Sequence, residues 1–240
     1  MPKSQNPYSP EFDIDEIHAW LNQRAKSIKK QGHSHFVTIS REYGCEAYPI
    51  AEELRDCLNK RSAPWMIFTR PIIEKLIEDD EFDSKFIHEL SEMRYGFSYQ
   101  FIDNYVPDFM KSPHSQTFEK MQKLYLKLVE LGNCIIVGSA AQIITSDLNP
   151  ERYTGVHVRI IGSEEFRTGK IMEYYGLGRE EAQKHLKEKQ SASDNFVKDF
   201  TGSSVNDPYL YHMVFHNDHV PTDFMIKTLC EYLVEKGIKY

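Results

Sequence analysis

The sequence predicts a three-layer α/β fold in which a parallel sheet is covered by helices on both faces. Short apolar segments alternate along the chain with longer amphipathic ones, which is the pattern of strand–helix–strand units. The apolar segments lie at 35–40, 65–69, 134–138, 156–161 and 211–216. Because strands joined by helical crossovers run parallel, their carboxyl ends should meet at one edge of the sheet, where such folds bind ligands.

An additional helix is predicted before the first strand. Apolar side chains recur at helical spacing from Asp13 to about Lys30, after an aspartate that can cap the helix. We therefore expect residues 1–33 to form a tail and an extra helix, and residues 34–240 to form the main domain.

Composition indicates a soluble globular protein. The chain of 240 residues carries 36 acidic and 29 basic side chains, a formal net charge of −7. Proteins that bind nucleic acids usually carry a strong basic bias, so no nucleic-acid partner is expected. No segment matches a membrane span or a signal peptide, and four widely spaced cysteines suit a reducing compartment. We expect a cytoplasmic protein that does not bind membranes.

Residues 36–54, FVTISREYGCEAYPIAEEL, place an apolar strand, a turn at Gly44 and a helix in direct succession. Backbone N–H groups at a helix N-terminus bind anions, so this turn has the layout of a phosphate-binding loop. The Walker pattern GxxxxGK[ST] adds a lysine and a hydroxyl for the phosphates and Mg²⁺. Here Ala47, Tyr48 and Pro49 stand at the second glycine, the lysine and the hydroxyl. An ordinary strand-to-helix turn that binds nothing is the alternative.

A second group of candidate residues follows the fourth apolar segment. Ser163 can cap a helix on which Arg167 and Lys170 share one face. These two cations neutralise phosphates if that face meets the crevice, and merely pair with nearby acidic residues if it faces solvent. Gly176 and Gly178 separate this helix from the next, which suits a lid that closes over a site.

The region between the second and third strands, about 70–130, is rich in helical periods. We expect it to form an insert folded over the crevice, with Arg94 as a candidate for binding a substrate. The alternative is a helical subdomain that packs its aromatic residues as core.

Histidines cluster in YHMVFHNDH. His212 and His216 fall on one face of the predicted strand and His219 lies beyond it, but no carboxylate or cysteine at ligand spacing completes a rigid zinc set. We therefore interpret them as histidines at the sheet edge and expect no metal there. Cys45 lies beside a predicted helix N-terminus, where a thiol pKa can fall, although most such cysteines are buried hydrophobic residues.

Four segments of the chain resemble the cytidylate kinase-like family, a divergent branch of the P-loop nucleoside-monophosphate kinases. They are FVTISREYGCEAYPIAEEL, NCIIVGSAAQII, VHVRIIGSEEFRTGKIMEYYGLGREEAQKHLKEK and FTGSSVNDPYLYHMVFHND. The resemblance covers about residues 35–236. It implies a P-loop kinase-like fold with a five-stranded parallel sheet, ATP phosphates at the loop 40–48, a monophosphate acceptor under the insert 70–130 and a lid at about 176–206.

Members of this family usually read close to SREYGSGG at the loop. The matching residues here are Ser40, Arg41, Glu42, Tyr43 and Gly44, and the replaced ones are Cys45, Glu46 and Ala47. Thr69 stands where an acidic residue is usual, and Ser139 and Ser193 stand where arginines are usual. Glu46 puts a carboxylate where a phosphate should lie, which costs energy unless a cation intervenes.

The resemblance and the spacing together suggest three sets of site residues. The catalytic set is Arg41, Arg167 and Lys170; the nucleotide-binding set is Ser40, Gly44, Cys45, Glu46, Ala47, Tyr48 and Asn217; the substrate-binding set is Arg94, Arg159 and Lys198. Because phosphoryl transfer depends on positioned cations, the missing groups predict a nucleotide- or phosphate-binding protein whose ATP-dependent transfer is impaired. An active kinase that uses substitute cations with ATP and Mg²⁺ is one alternative, and a scaffold without a ligand is another. The sequence leaves a homodimer open.

Overall fold

The computed structural model describes residues 12–28, 33–60, 64–78, 113–138 and 140–238. In that part of the chain five strands form one parallel sheet flanked by helices, which confirms the predicted α/β class. Arg94, Ser139 and the middle of the predicted insert lie outside the described residues.

The strands are β1 (Ser34–Arg41), β2 (Met66–Thr69), β3 (Cys134–Val137), β4 (Tyr153–Ile161) and β5 (Met213–His216). The helices are α1 (Ile14–Ile28), α2 (Ala47–Asn59), α3 (Arg70–Ile77), α4 (Pro113–Leu131), α5 (Ala141–Ile144), α6 (Glu164–Tyr175), α7 (Arg179–Thr201) and α8 (Thr222–Glu235), with a 3₁₀ turn at Pro208–Leu210. None of the described helices is long and apolar enough to span a membrane.

The strand order is β2-β3-β1-β4-β5, and each neighbouring pair is parallel. The chain leaves β1 towards β2 and β3 on one side and reaches β4 and β5 on the other. The carboxyl end of β1 is therefore the point where the winding direction changes, and doubly wound sheets bind ligands at this point. Ser40 lies opposite Arg159 at this end of the sheet.

The two faces of the sheet are covered by different helices because side chains alternate along each strand. Val37 and Ile39 belong to the core beneath α2 and α8. Phe36 and Ile136 belong to the core beneath α1, α3 and α4. Each of these four side chains is at most 1% exposed, as expected for a parallel sheet buried on both faces.

The predicted N-terminal helix forms as α1 and shares the second core. Trp20 is 4% exposed, and its Nε1 donates a hydrogen bond to Pro64 O at 2.8 Å. Arg24 is buried as well and donates from Nε to Leu131 O at 2.9 Å. Helix α1 is thus attached to β2 and to the end of α4 by both apolar packing and hydrogen bonds.

Candidate active site

The candidate site is built around the loop between β1 and α2, residues 42–46. Gly44 has a φ of 95°, a region that side chains other than glycine rarely adopt. A Cβ atom at Gly44 would also lie 2.7 Å from Arg167 Cβ. The glycine therefore allows both the turn of the loop and its close contact with α6.

Four backbone N–H groups of this loop donate hydrogen bonds within the protein. These bonds are Glu42 N to Ile160 O (3.0 Å), Tyr43 N to Gln190 Oε1 (2.7 Å), Cys45 N to Glu42 O (3.1 Å) and Glu46 N to Asn217 Oδ1 (2.7 Å). A phosphate-binding loop needs N–H groups that point at the anion. In this conformation most of the loop's N–H groups are directed at protein oxygens instead.

The Glu46 carboxylate is held by two groups on α6. Lys170 Nζ lies 3.1 Å from Glu46 Oε1, and Tyr174 OH donates a hydrogen bond of 2.6 Å to the same oxygen. Burial and the Glu46 carboxylate raise the pKa of Tyr174 well above its ordinary value, so the phenol keeps its proton. Lys170 is therefore the cation that makes a carboxylate tolerable at this position.

Arg167 occupies a similar position one turn earlier on α6. Its Nε donates to Gly162 O at 2.9 Å and lies 3.5 Å from Glu42 Oε2, while Nη1 lies 3.4 Å from Tyr43 O. The guanidinium thus links the helix to the loop. Both cations predicted from the spacing lie beside the loop, and each has a loop carboxylate as a neighbour.

Helix α7 lies over the same loop, where the sequence predicts a lid. Gln190 accepts the Tyr43 N–H, and the Tyr43 hydroxyl lies 3.1 Å from His185 Nε2 and from Tyr175 OH. Ile171 of α6 belongs to one small buried apolar cluster with Ala182 and Leu186 of α7. Helix α7 therefore packs directly against the loop.

Tyr48, at the position of the Walker lysine, lies in the first turn of α2 and packs against the core beneath α2 and α8. Ala47 is 2% exposed and Cys45 is 1% exposed. Burial, with the nearby Glu42 carboxylate, raises the pKa of the Cys45 thiol to about 12. Cys45 is therefore a buried hydrophobic residue, the second of the two interpretations of its sequence position.

These residues do not fit a Walker-type ATP site. The lysine and hydroxyl positions hold Tyr48 and Pro49, and the loop contributes the carboxylates of Glu42 and Glu46. Negative groups at the phosphate position repel a triphosphate. Residues 40–49 thus lack the Walker lysine and hydroxyl that would hold ATP and Mg²⁺. Most backbone N–H groups of the loop are already bonded to protein oxygens.

A buried cation lies behind the loop, on β4. Arg159 is 4% exposed and donates from Nη1 to Ser40 Oγ at 3.1 Å and from Nη2 to Asn206 Oδ1 at 2.8 Å. Tyr211 OH lies 3.4 Å from Nη1. Among the described residues these partners are neutral oxygens, and no carboxylate pairs with the guanidinium. A buried charge without a counterion is costly, so this arrangement favours an anionic ligand.

The remaining predicted residues are less central. Arg41 ends β1 and is half-buried, and Lys198 is exposed in the last turn of α7. Asn217 fixes the loop through the Glu46 N–H. Sequence reasoning missed Gln190 and Tyr174, which contact the loop from more than 120 positions away, because no local pattern marks such pairs.

The histidine cluster is arranged differently from the prediction. His212 lies before β5 and its Nδ1 accepts a hydrogen bond from His157 N at 3.0 Å, away from the other two. His216 instead contacts Asp218, and its ring stacks on that of His219. The sequence reading overlooked Asp218, although it lies between the two histidines.

A solved structure with a similar fold agrees with this architecture. The structure is similar to that of an uncharacterized protein from Eubacterium ventriosum ATCC 27560, with a TM-score of 0.63 and 18% identity over 84% of this chain and 99% of the other. TT1252 from Thermus thermophilus gives a TM-score of 0.42 and 14% identity over 85% of this chain and 98% of the other. No curated protein matches the chain. The model of the cytidylate kinase-like family matches residues 36–219, so the chain belongs to the cytidylate kinase-like family.

Proposed function

We propose that this chain binds a nucleotide or another phosphorylated small molecule and that its ATP-dependent phosphoryl transfer is impaired. The observation that carries the proposal is the buried Arg159 guanidinium, which has only neutral partners among the described residues. Membership of a family with a nucleotide-kinase-like fold supports a nucleotide as the ligand class.

The anion would bind beside Ser40, at the carboxyl end of the central strand. Arg159 lies opposite Ser40 in the register of β1 and β4, which puts the guanidinium next to the crevice. Hydrogen bonds to a charged group contribute about 1.5–3 kcal/mol each. A phosphate that replaced one of the neutral partners would therefore gain a charge-assisted contact and remove an unpaired buried charge.

Impaired phosphoryl transfer is expected from the residues of α2 and α6 that border the loop. Cations that stabilise the transferring phosphoryl group are worth about 10³-fold or more in rate. Here Tyr48 replaces the lysine, Lys170 neighbours Glu46, and Arg167 is bonded to the backbone of Gly162. A donor triphosphate would meet two loop carboxylates and few unengaged cations.

Binding can be tested by calorimetric titration of the full chain with CMP, AMP and inorganic phosphate. Replacement Arg159→Met removes the charge at similar volume and should weaken the affinity for CMP or for whichever of these ligands binds by at least tenfold. Arg152→Met, at an exposed arginine beside the start of the same strand, is the matched control and should leave affinity unchanged. Absence of binding for all nucleotides and phosphate would contradict the proposal.

Transfer is tested separately with a coupled ADP-release assay, at millimolar ATP with CMP, dCMP, UMP and AMP. We expect turnover near background. A kcat in the common enzyme range of about 1–10³ s⁻¹ for any acceptor would establish the second candidate, an active kinase that uses substitute cations. The position of Arg167 and Lys170 beside the loop favours that candidate, since a rotation of the Glu46 side chain would release Lys170.

The four cysteines are far apart in the sequence and all are free thiols, which supports a location in a reducing compartment that we take to be the cytoplasm. The chain could form a homodimer, and light scattering of the full chain in solution would establish its oligomeric state.

A further inference from the structure

The turn after β5 brings together three side chains that the proposed function does not use. β5 ends at His216, and the N–H of His219 returns to His216 O at 3.1 Å. Ligand atoms of His216, Asp218 and His219 all lie within 4.8 Å of one another. We propose that these three residues bind a divalent transition-metal ion, with zinc as the best match. The inference does not depend on nucleotide binding.

His216 and Asp218 are the two potential ligands in closest contact. His216 Nδ1 and Asp218 Oδ1 lie directly against each other. Both atoms are hidden from solvent, and neither forms a hydrogen bond of normal geometry with the described part of the chain. Atoms this close are bridged by a hydrogen on the imidazole or, once they move apart, by a metal ion that both of them bind. A third potential ligand beside them favours the metal ion.

That third ligand is His219. Its ring stacks on the ring of His216, with centroids 4.1 Å apart and planes 11° apart, and its Nε2 lies 3.9 Å from Asp218 Oδ2. With metal–ligand distances of about 2.0–2.2 Å, neighbouring ligand atoms of a tetrahedral ion are about 3.3–3.6 Å apart. The lone pairs of two parallel rings do not converge on one ion, so metal binding requires the His219 ring to turn out of the stack, which its 70% exposed side chain allows.

The carboxylate of this cluster is oriented by a neighbouring helix. Ser163 Oγ donates a hydrogen bond of 2.5 Å to Asp218 Oδ2 and accepts one from Phe166 N at the start of α6. Hydrogen bonds of this kind hold metal ligands in place and tune their affinity. The Asp218 side chain is 16% exposed, so its orientation is fixed by the protein more than by solvent.

The ligand set indicates the class of metal. Imidazole nitrogens suit zinc, copper, iron and nickel, whereas magnesium and calcium take oxygen ligands. Two imidazoles and one carboxylate leave at least one coordination position for water or a ligand. Asn217 in the same turn accepts the Glu46 N–H, so the ion would lie next to the loop between β1 and α2.

The test is a calorimetric titration of the full chain with Zn²⁺ after removal of bound metal with a chelator. We expect one equivalent to bind and the melting temperature to rise. His219→Ala should weaken zinc affinity at least tenfold without changing the circular dichroism spectrum, since this side chain is exposed. His33→Ala is the control, because His33 also neighbours another histidine but precedes β1, at the amino end of the central strand.

Thiols also bind zinc, and the sulfur atoms of Cys57 and Cys230 lie 2.7 Å apart, so this pair needs its own control. Cys57→Ser should leave zinc affinity unchanged, and Co²⁺ in place of Zn²⁺ should lack the near-ultraviolet charge-transfer band of thiolate ligands. No zinc binding, binding that survives both His216→Ala and His219→Ala, or binding that Cys57→Ser abolishes would overturn the proposal.

Discussion

Lys170 Nζ lies 3.1 Å from Glu46 Oε1, so a helix that follows β4 supplies the counterion for a carboxylate in the loop that follows β1. Both side chains are 24% exposed. At that exposure an ion pair contributes at most about 1 kcal/mol to stability. The pair therefore has more influence on what the loop can bind than on how stably it folds.

Removing the loop charge should increase affinity for a phosphate-bearing ligand. Glu46→Gln keeps the shape of the side chain, removes one negative charge and leaves Lys170 without its loop carboxylate. A like charge a few ångströms from a phosphate costs about 1 kcal/mol or more, so we expect ATP to bind about fivefold or more tightly in a titration without Mg²⁺. Glu173→Gln is the matched control, since Glu173 also lies near Lys170, at 3.6 Å, but is outside the loop. Equal effects of the two replacements would show that the loop carboxylate does not lie near the phosphates.

The contact between the loop and α6 should be sensitive to the smallest added group. Gly44→Ala introduces a side chain at a φ of 95° and places its Cβ 2.7 Å from Arg167 Cβ. The strained backbone costs about 1–2 kcal/mol and overpacking adds about 1–3 kcal/mol, so we expect the free energy of unfolding in urea to fall by about 2–5 kcal/mol. Gly202→Ala separates the two terms, because Gly202 has a φ of 69° but no atom within 4 Å of its added Cβ. Similar losses in both variants would contradict the packing argument.

Stability should fall between neutral and mildly acidic pH because of a buried histidine. Burial, with the neighbouring His212, lowers the pKa of His157 from 6.5 to about 4. Between these values the unfolded chain binds more protons than the folded chain, so the free energy of unfolding decreases as the pH falls from about 6.5 towards 4. The full effect is about 3 kcal/mol for this side chain. It can be measured as the shift of the urea midpoint between pH 7 and pH 5.

His157→Gln should flatten this dependence, because glutamine does not take up a proton in that range. His35 adds to the wild-type effect, since burial and then His33 lower its pKa to about 4. The variant should therefore keep a smaller decrease in stability on acidification. An identical decrease in wild type and variant would mean that His157 is already protonated in the folded chain or that another group dominates.

Much of the fold could be predicted because each strand is a run of apolar residues. Segment 35–40 is β1 to within a residue at either end, and 65–69 and 134–138 match β2 and β3 closely. The prediction began β4 at 156, whereas the strand begins at Tyr153. Residues 153–155 are Tyr, Thr and Gly, and pairing with β1 extends them despite weak apolar character. Tyr211 was predicted in β5 but precedes it, and its hydroxyl bonds to Val205 O.

The site was less predictable than the fold. Spacing alone predicted that Arg167 and Lys170 share one helix face, because residues three apart lie on the same side of a helix. Their partners could not be predicted, since Glu42 and Glu46 are separated from them by more than 120 residues and no period links the two regions. Asn217 and Gln190 close the loop through single side-chain hydrogen bonds, which leave no pattern in one sequence.

The free thiols of Cys57 in α2 and Cys230 in α8 lie side by side and should be readily oxidised to a disulfide. Cys57 Sγ lies 2.7 Å from Cys230 Sγ, and the two helices pack on the same face of the sheet. A small disulfide such as oxidised glutathione should accept two electrons from the pair and leave as two thiols, while the two cysteines lose their protons and form one intramolecular bond. We expect the loss of two reactive thiols, a mass decrease of two hydrogens and a higher melting temperature.

Cys57→Ser should abolish this crosslink, and Cys134→Ser should not, because Cys134 lies in β3 beneath the opposite helix layer. Burial raises the pKa of the Cys134 thiol far above its ordinary value, so that residue should stay reduced in wild type. The crosslink should stabilise chiefly by restricting the unfolded chain, and the melting temperature should return to its starting value after reduction. A mixed disulfide with glutathione that never closes would show that the side chains of α2 and α8 cannot reach bonding geometry in solution.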